Sequence, residues 1–264
     1  MMSSLIKHLA IAATAVGLLA GCGNRRDDVV QDYGAEGYYD RGRSAMDAGN
    51  YIGATEYFTQ LEARYPFANV TRQAQLDLIY LYWRSNQPES AIDAAEEFER
   101  ENPTHAHVDY CLYMKGLVYF DEAPNILEKL FNVDLTLRPP KDTLLAFSTF
   151  QELIRRYPDS RYVEDASKRM VFLRNRLAAY ENHVADYYIR RGAYVAAVSR
   201  AKYAIERYPG APELEESLRL MAVAYTELGM NDLAADAGRV LSESFGDETA
   251  TAQLSPEERE PTRQ

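Results

Sequence analysis

Cysteine is almost missing from this chain: there are two in 264 residues, Cys22 and Cys111. So few thiols exclude a disulfide framework and any zinc cluster built on paired cysteines. Histidine is scarce as well. His8, His105, His107 and His183 are all there are, and only His105 and His107 are close together, with no third ligand at metal spacing. No glycine-rich phosphate loop, no nucleophile elbow and no Ser/His/Asp grouping occurs, so nothing points to catalysis or to a bound cofactor. Alternating strand-like runs and Asn-Gly or Asp-Gly hairpin turns are absent too, which argues against a β fold. An excess of positive charge is also lacking. The formal charge is −11, and it would be −12 without Lys7, which excludes nucleic acid as a sequence-independent partner.

What is present begins with a targeting signal. Residues 1–7 carry one lysine, and "LAIAATAVGLLA" (9–20) is an apolar run too short for a stable membrane span. It leads into Leu19-Ala20-Gly21-Cys22, which resembles the lipobox of bacterial lipoproteins, where the cysteine is acylated and becomes the new N-terminus. Residues 1–21 are therefore read as a signal peptide and Cys22 as the lipidation site. Two or more acyl chains would anchor the chain, since each buried methylene contributes about 0.8 kcal/mol. Asn24, not Asp, stands second after the cysteine, so the outer membrane is the expected destination. Residues 22–34 read as a tether and 246–264, polar throughout, as a disordered tail. Cys111, the one thiol left, is expected to be a small buried hydrophobe.

Between them the pattern is helical and repeated. Three runs end alike, in "LEARYP", "LIRRYP" and "AIERYP", at Pro66, Pro158 and Pro209. With Pro103 and Gly246 as equivalents, the spacings are 37, 55, 51 and 37, a repeat of 37 with surpluses of 18 and 14. Twelve residues before each end point lies an alanine: Ala54, Ala91, Ala146, Ala197 and Ala234. One helical turn later come Phe58, Ala95, Phe150, Ala201 and Gly238, a size pattern suited to close helix packing. With Tyr38 and Gly42 on a preceding helix, these features resemble the tetratricopeptide repeat. The expected fold is an all-α, right-handed α-solenoid of five helix pairs over 35–245, bounded roughly as 35–66, 70–103, 107–158, 161–209 and 212–245. The surplus of 14 falls where no proline interrupts, so it predicts a long first helix in the fourth pair. The surplus of 18 contains three prolines and predicts a loop insertion over 120–142, with a short helix at 125–131.

Specific stretches then narrow the resemblance. "NPTHAHVDYCLYMKGL" (102–117), "FNVDLTLRPP" (131–140) and "DASKRMVFLRNRLAAYENHVADYYIRRGAYVAAVSR" (165–200) are similar to the BamD family, lipoproteins of the β-barrel assembly machinery. Two departures stand out: Arg138-Pro139-Pro140 replaces the family's Arg-Asp-Pro, and Ser199 replaces an Asn. The resemblance implies a periplasmic adaptor on the outer membrane, with three kinds of partner. These are the central barrel subunit, accessory lipoproteins and unfolded barrel precursors. It also implies that Arg200, with Tyr187 and Tyr188, contacts the central subunit through the C-terminal repeats. The other reading of those tyrosines is packing between repeats.

The N-terminal repeats supply a candidate precursor groove. The inward positions of the first three first-helices are Glu36, Tyr39, Arg43 and Met46, then Gln73, Leu76, Tyr80 and Trp83, then Tyr110, Tyr113, Leu117 and Phe120. Tyr39, Arg43, Tyr80, Trp83, Tyr110 and Tyr113 form an aromatic lining with one cation, suited to a chain end carrying an aromatic residue and a free carboxylate. A second functional class, a periplasmic repeat lipoprotein scaffolding cell-wall or envelope proteins, fits the same repeats.

Overall fold

A computed structural model describes residues 32–120 and 141–246. Cys22 and the tether through residue 31 lie outside the described residues, as do residues 121–140, which hold most of the expected insertion and its short helix, and residues 247–264; Gly34, expected in the tether, opens the first helix, and Phe120, Lys141 and Asp142, expected in the insertion, are helical. Among those described there are ten helices and no strand: α1 (Gly34–Asp47), α2 (Tyr51–Arg64), α3 (Asn69–Arg84), α4 (Pro88–Glu101), α5 (Val108–Phe120), α6 (Lys141–Arg156), α7 (Val163–Arg190), α8 (Tyr194–Arg207), α9 (Leu214–Glu227) and α10 (Asn231–Phe245). Each helix packs on the next, and α1 also meets α3, α3 meets α5, and α7 meets α9. First helices therefore stack in two runs, α1–α3–α5 and α7–α9, and side chains join the runs, as Tyr113 of α5 does by donating to Asp165 of α7.

Local chemistry sets both ends of each pair. Four first helices stop at a left-handed residue, Gly49, Asn86, Gly192 or Gly229, with φ between 56° and 75°. Only there can the next amide reach back five residues, as Asn50 N–H does to the Ala45 carbonyl at 2.8 Å and Ala193 N–H to the Tyr188 carbonyl at 2.9 Å. Second helices stop for a different reason. Tyr65, Asn102 and Tyr208 each precede a proline and are pushed out of the helical region, to φ −131°, −128° and −122°. Their own amides still bond the carbonyl four residues back, so the helix closes without an orphan donor. The Tyr208 ring is buried at the junction, 6.1 Å from Phe147 of the previous pair.

The core follows the small-and-aromatic pattern. Ala54, Ala91, Ala146 and Ala197 are buried, while Ala234 and Gly238 on α10 are not, because no further pair covers them among the described residues. Phe58 and Phe150 are wholly buried against Gly42 and Gly116, where an added Cβ would lie 2.3 Å from the ring. At the equivalent positions of the second pair stand Ile79 and Ala95, so bulk moves from one helix to the other. The long α7 spans 28 residues where α1 and α9 span 14, which accounts for the surplus of 14. Its first half, through Ala166 and Leu173, joins the core of the third pair. In its second half Asn182 donates to the Glu213 carbonyl at 2.7 Å and accepts from Ser217 Oγ at 2.6 Å, pinning α7 to the last pair. Cys111 is a fully buried member of the central core, and burial pushes its thiol up to about 12.

Candidate binding groove and partner-facing patch

On the face made by α1, α3 and α5 the organising group is Asp77, a carboxylate on α3 whose side chain is 11% exposed. A buried acid needs donors, and three converge on it. Tyr39 Oη donates at 3.3 Å, Arg43 Nη1 at 3.5 Å and Gln73 Nε2 at 3.4 Å. Burial raises the Asp77 carboxyl above its usual range, and Arg43 and the three donors work against that rise. Burial and the neighbouring Asp77 charge push the Tyr39 hydroxyl up to about 12. Arg43 also lies 3.8 Å from Asp47, so both of its carboxylate partners belong to this chain.

Beside this cluster a cleft of about 250 Å³ opens between α3 and α5. Met46, Gln73, Leu76, Asp77 and Tyr80 form one wall; His107, Tyr110, Arg161 and Tyr162 form the other. Tyr162 holds the second wall together. Its ring stacks on Tyr113 at 4.5 Å and 16° and lies 5.9 Å from Tyr110. Tyr113 in turn donates to Asp165 at 2.8 Å, and Arg169 reaches the same oxygen at 2.6 Å. Burial and the Asp165 bond push the Tyr113 hydroxyl up to about 12; burial raises that of Tyr110 as well. These tyrosines remain neutral at any physiological pH and act as donors and stacking surfaces.

The structure thus places the expected groove residues unequally. Tyr39 and Arg43 meet on Asp77, Tyr80 and Tyr110 line the cleft, Tyr113 backs Tyr162, and Trp83 adjoins Tyr80 with ring centroids 5.9 Å apart. Leu76 and Leu117, from the same positional count, are core residues at 4% and 8% exposure. Asp77, Arg161 and Tyr162 were not foreseen. A lone acid inside "LDLIYLYW", one turn after Gln73, was the available signal for Asp77.

A second cluster lies where α7 meets α8. Arg200 Nη1 bonds Glu181 Oε2 at 3.1 Å, with Arg200 43% and Glu181 8% exposed. Burial raises the Glu181 carboxyl, opposed by Arg200. Tyr187 is exposed and Tyr188 half-buried, their rings edge to face at 5.8 Å. The Arg200 side chain is thus partly exposed while Glu181 and Tyr188 hold it. Ser199, at the family's Asn position, turns its hydroxyl to the Val195 carbonyl at 3.0 Å within its own helix.

Comparison with known proteins fits this architecture. A family model described as "YfiO: Outer membrane lipoprotein" matches residues 31–241, from the start of α1 into α10. The chain is 39% identical to the outer membrane protein assembly factor BamD of Neisseria gonorrhoeae, over 90% of this chain and 88% of that protein. The chain belongs to the BamD family. The Vibrio cholerae BamD is 39% identical over 83% of this chain and 90% of its own, and the Pasteurella multocida BamD 31% over 93% of each. Both clusters described above fall inside the matched region of this BamD-family chain. None of its described helices is long and apolar enough to cross a membrane.

Proposed function

We propose that this chain is a lipid-anchored adaptor for outer-membrane protein assembly, held at the periplasmic side of the outer membrane by Cys22 and acting by binding, not by catalysis. The observation that carries the reading is the family match over residues 31–241, which reaches into all five helix pairs, together with relatives named as assembly factors. In this reading the N-terminal repeats receive unfolded barrel precursors along the groove of Tyr39, Arg43, Tyr80, Trp83, Tyr110 and Tyr113. The C-terminal repeats hold the central barrel subunit through Arg200, Tyr187 and Tyr188, and accessory lipoproteins complete the assembly. Flat aromatic faces beside a small cleft support the groove, because they give contact area at low entropic cost to a chain end. A partly exposed arginine side chain on the packed α7–α8 pair supports the second surface.

Photo-cross-linking side chains at positions 80 and 110, with position 52 as an exposed site on the first pair outside the groove, test the precursor site. Adducts to a barrel precursor at 80 and 110 but not at 52 are expected, and equal labelling at 52 contradicts the groove. Arg200→Glu should release the central subunit from the tagged chain; a complex of parental yield would refute that assignment.

A further inference from the structure

We infer that Arg161, not Arg43, receives the carboxylate of the chain end that enters the cleft. The inference rests on the groove reading above and concerns which cation serves it.

Arg43 is already neutralised from within, by Asp77 at 3.5 Å and Asp47 at 3.8 Å. A ligand carboxylate seated there would stand beside the Asp77 carboxylate, and like charges at close quarters repel. Arg161 lines the cleft itself, and Arg43 does not. Among the described residues no carboxylate lies within salt-bridge distance of it; its Nη2 donates to Tyr162 Oη at 2.6 Å. Asp109, the carboxylate whose charge acts on it, is engaged elsewhere: Oδ2 accepts from Ser160 Oγ at 2.7 Å and Oδ1 from the Tyr110 amide at 2.7 Å.

Arg161 is also held in place. Its guanidinium carbon lies 4.8 Å from the centre of the Tyr162 ring, and that ring is fixed by its stack on Tyr113. A guanidinium carries five N–H donors, so the Tyr162 bond leaves enough for a bidentate carboxylate. At about 250 Å³ the cleft is smaller than sites for drug-sized ligands and takes one side chain. Tyr80 and Tyr110 offer that side chain aromatic faces. The polarity of the cleft, anion at Asp77 and cation at Arg161, then fixes direction: the terminal carboxylate lies at Arg161, and the backbone amide N–H of the preceding residue lies toward Asp77.

The test uses the full acylated chain in detergent and a labelled peptide ending in Phe, as the free acid and as the C-terminal amide, with binding read by fluorescence anisotropy. The parent should prefer the acid by about tenfold, the scale of one charge-assisted contact. Arg161→Gln should abolish the preference, so that acid and amide bind that variant equally, and Arg161→Lys should restore part of it. Arg43→Gln should keep the preference. If Arg43→Gln removes the preference and Arg161→Gln does not, the inference is overturned while the groove stands. Should neither peptide bind the parent, the groove reading falls and the inference with it. Arg161 is exposed, and unchanged helical dichroism of each variant excludes unfolding as the cause.

Discussion

Replacing Gly42 by alanine tests the packing that brings α1 onto its neighbours. A Cβ built there lies 2.3 Å from Phe58 Cε1, 2.6 Å from Cδ1 and 2.8 Å from Cζ. Ordinary carbon contacts are about 3.5–4.0 Å, so the ring would have to retreat by more than about 1 Å. Phe58 has no free space to retreat into: it is wholly buried and already packs on Tyr39 at 5.7 Å. Overpacking of this kind costs about 1–3 kcal/mol, against a helix-propensity gain of about 1 kcal/mol for Gly→Ala. With the contact at 2.3 Å the cost falls at the upper end of that range, so the expected net is a loss of about 2 kcal/mol. Gly238 is the internal control, for nothing lies within 4 Å of its added Cβ. There the same change should gain about 0.5–1 kcal/mol. Urea unfolding followed by circular dichroism measures both, with amide exchange in α1 and α2 reporting local effects in a repeat that need not unfold as one unit. A double-mutant cycle with Phe58→Ala completes it: once the ring is gone, Gly42→Ala should cost nothing. Equal stability of Gly42→Ala and its parent, or an unchanged penalty in the Phe58→Ala background, would refute the packing argument. Because Tyr39 and Arg43 sit on the same helix, Gly42→Ala should also loosen their bonds to Asp77.

Two further outcomes follow from buried titratable groups. Glu181 has a raised carboxyl pKa, so it favours the fold while protonated, and this contribution is lost as pH rises through the folded value. Arg200→Gln removes the cation that opposes this, so it should destabilise by about 1 kcal/mol at pH 7, after allowance for Arg200's exposure, and by less at pH 4, as thermal melts at the two pH values will show. A deficit independent of pH would mean that Arg200 stabilises by packing alone. Cys111 is buried with a thiol pushed up to about 12, so it should resist a thiol reagent at pH 8 and react fully in denaturant. Rapid labelling of the native chain would show that the central core opens easily.

Much of the fold was legible because tetratricopeptide packing repeats itself in the sequence. Prolines after Tyr65 and Tyr208, the alanine series and the surplus of 14 residues each have a direct physical counterpart in helix ends, helix crossings and α7. The last pair kept the letters of the pattern, Ala234 and Gly238, without their burial, since burial depends on a following neighbour that a sequence match cannot supply. The groove was only partly legible. Counting positions along first helices found Tyr39, Arg43, Tyr80 and Tyr110 because α1, α3 and α5 keep one register. It could not find Tyr162 and Arg161, which stand at and before the start of the lengthened α7, outside the count. Nor could it show that Asp77 folds onto Arg43, since the two positions, 34 apart in sequence, are brought together only by the α1–α3 contact.

The assembly role is tested most directly by purifying the tagged, acylated chain from detergent-solubilised outer membrane and identifying what comes with it by mass spectrometry. The account predicts the central barrel-assembly subunit from the parent chain and its loss from Arg200→Glu. Recovery of cell-wall enzymes with no barrel-assembly subunit would contradict it.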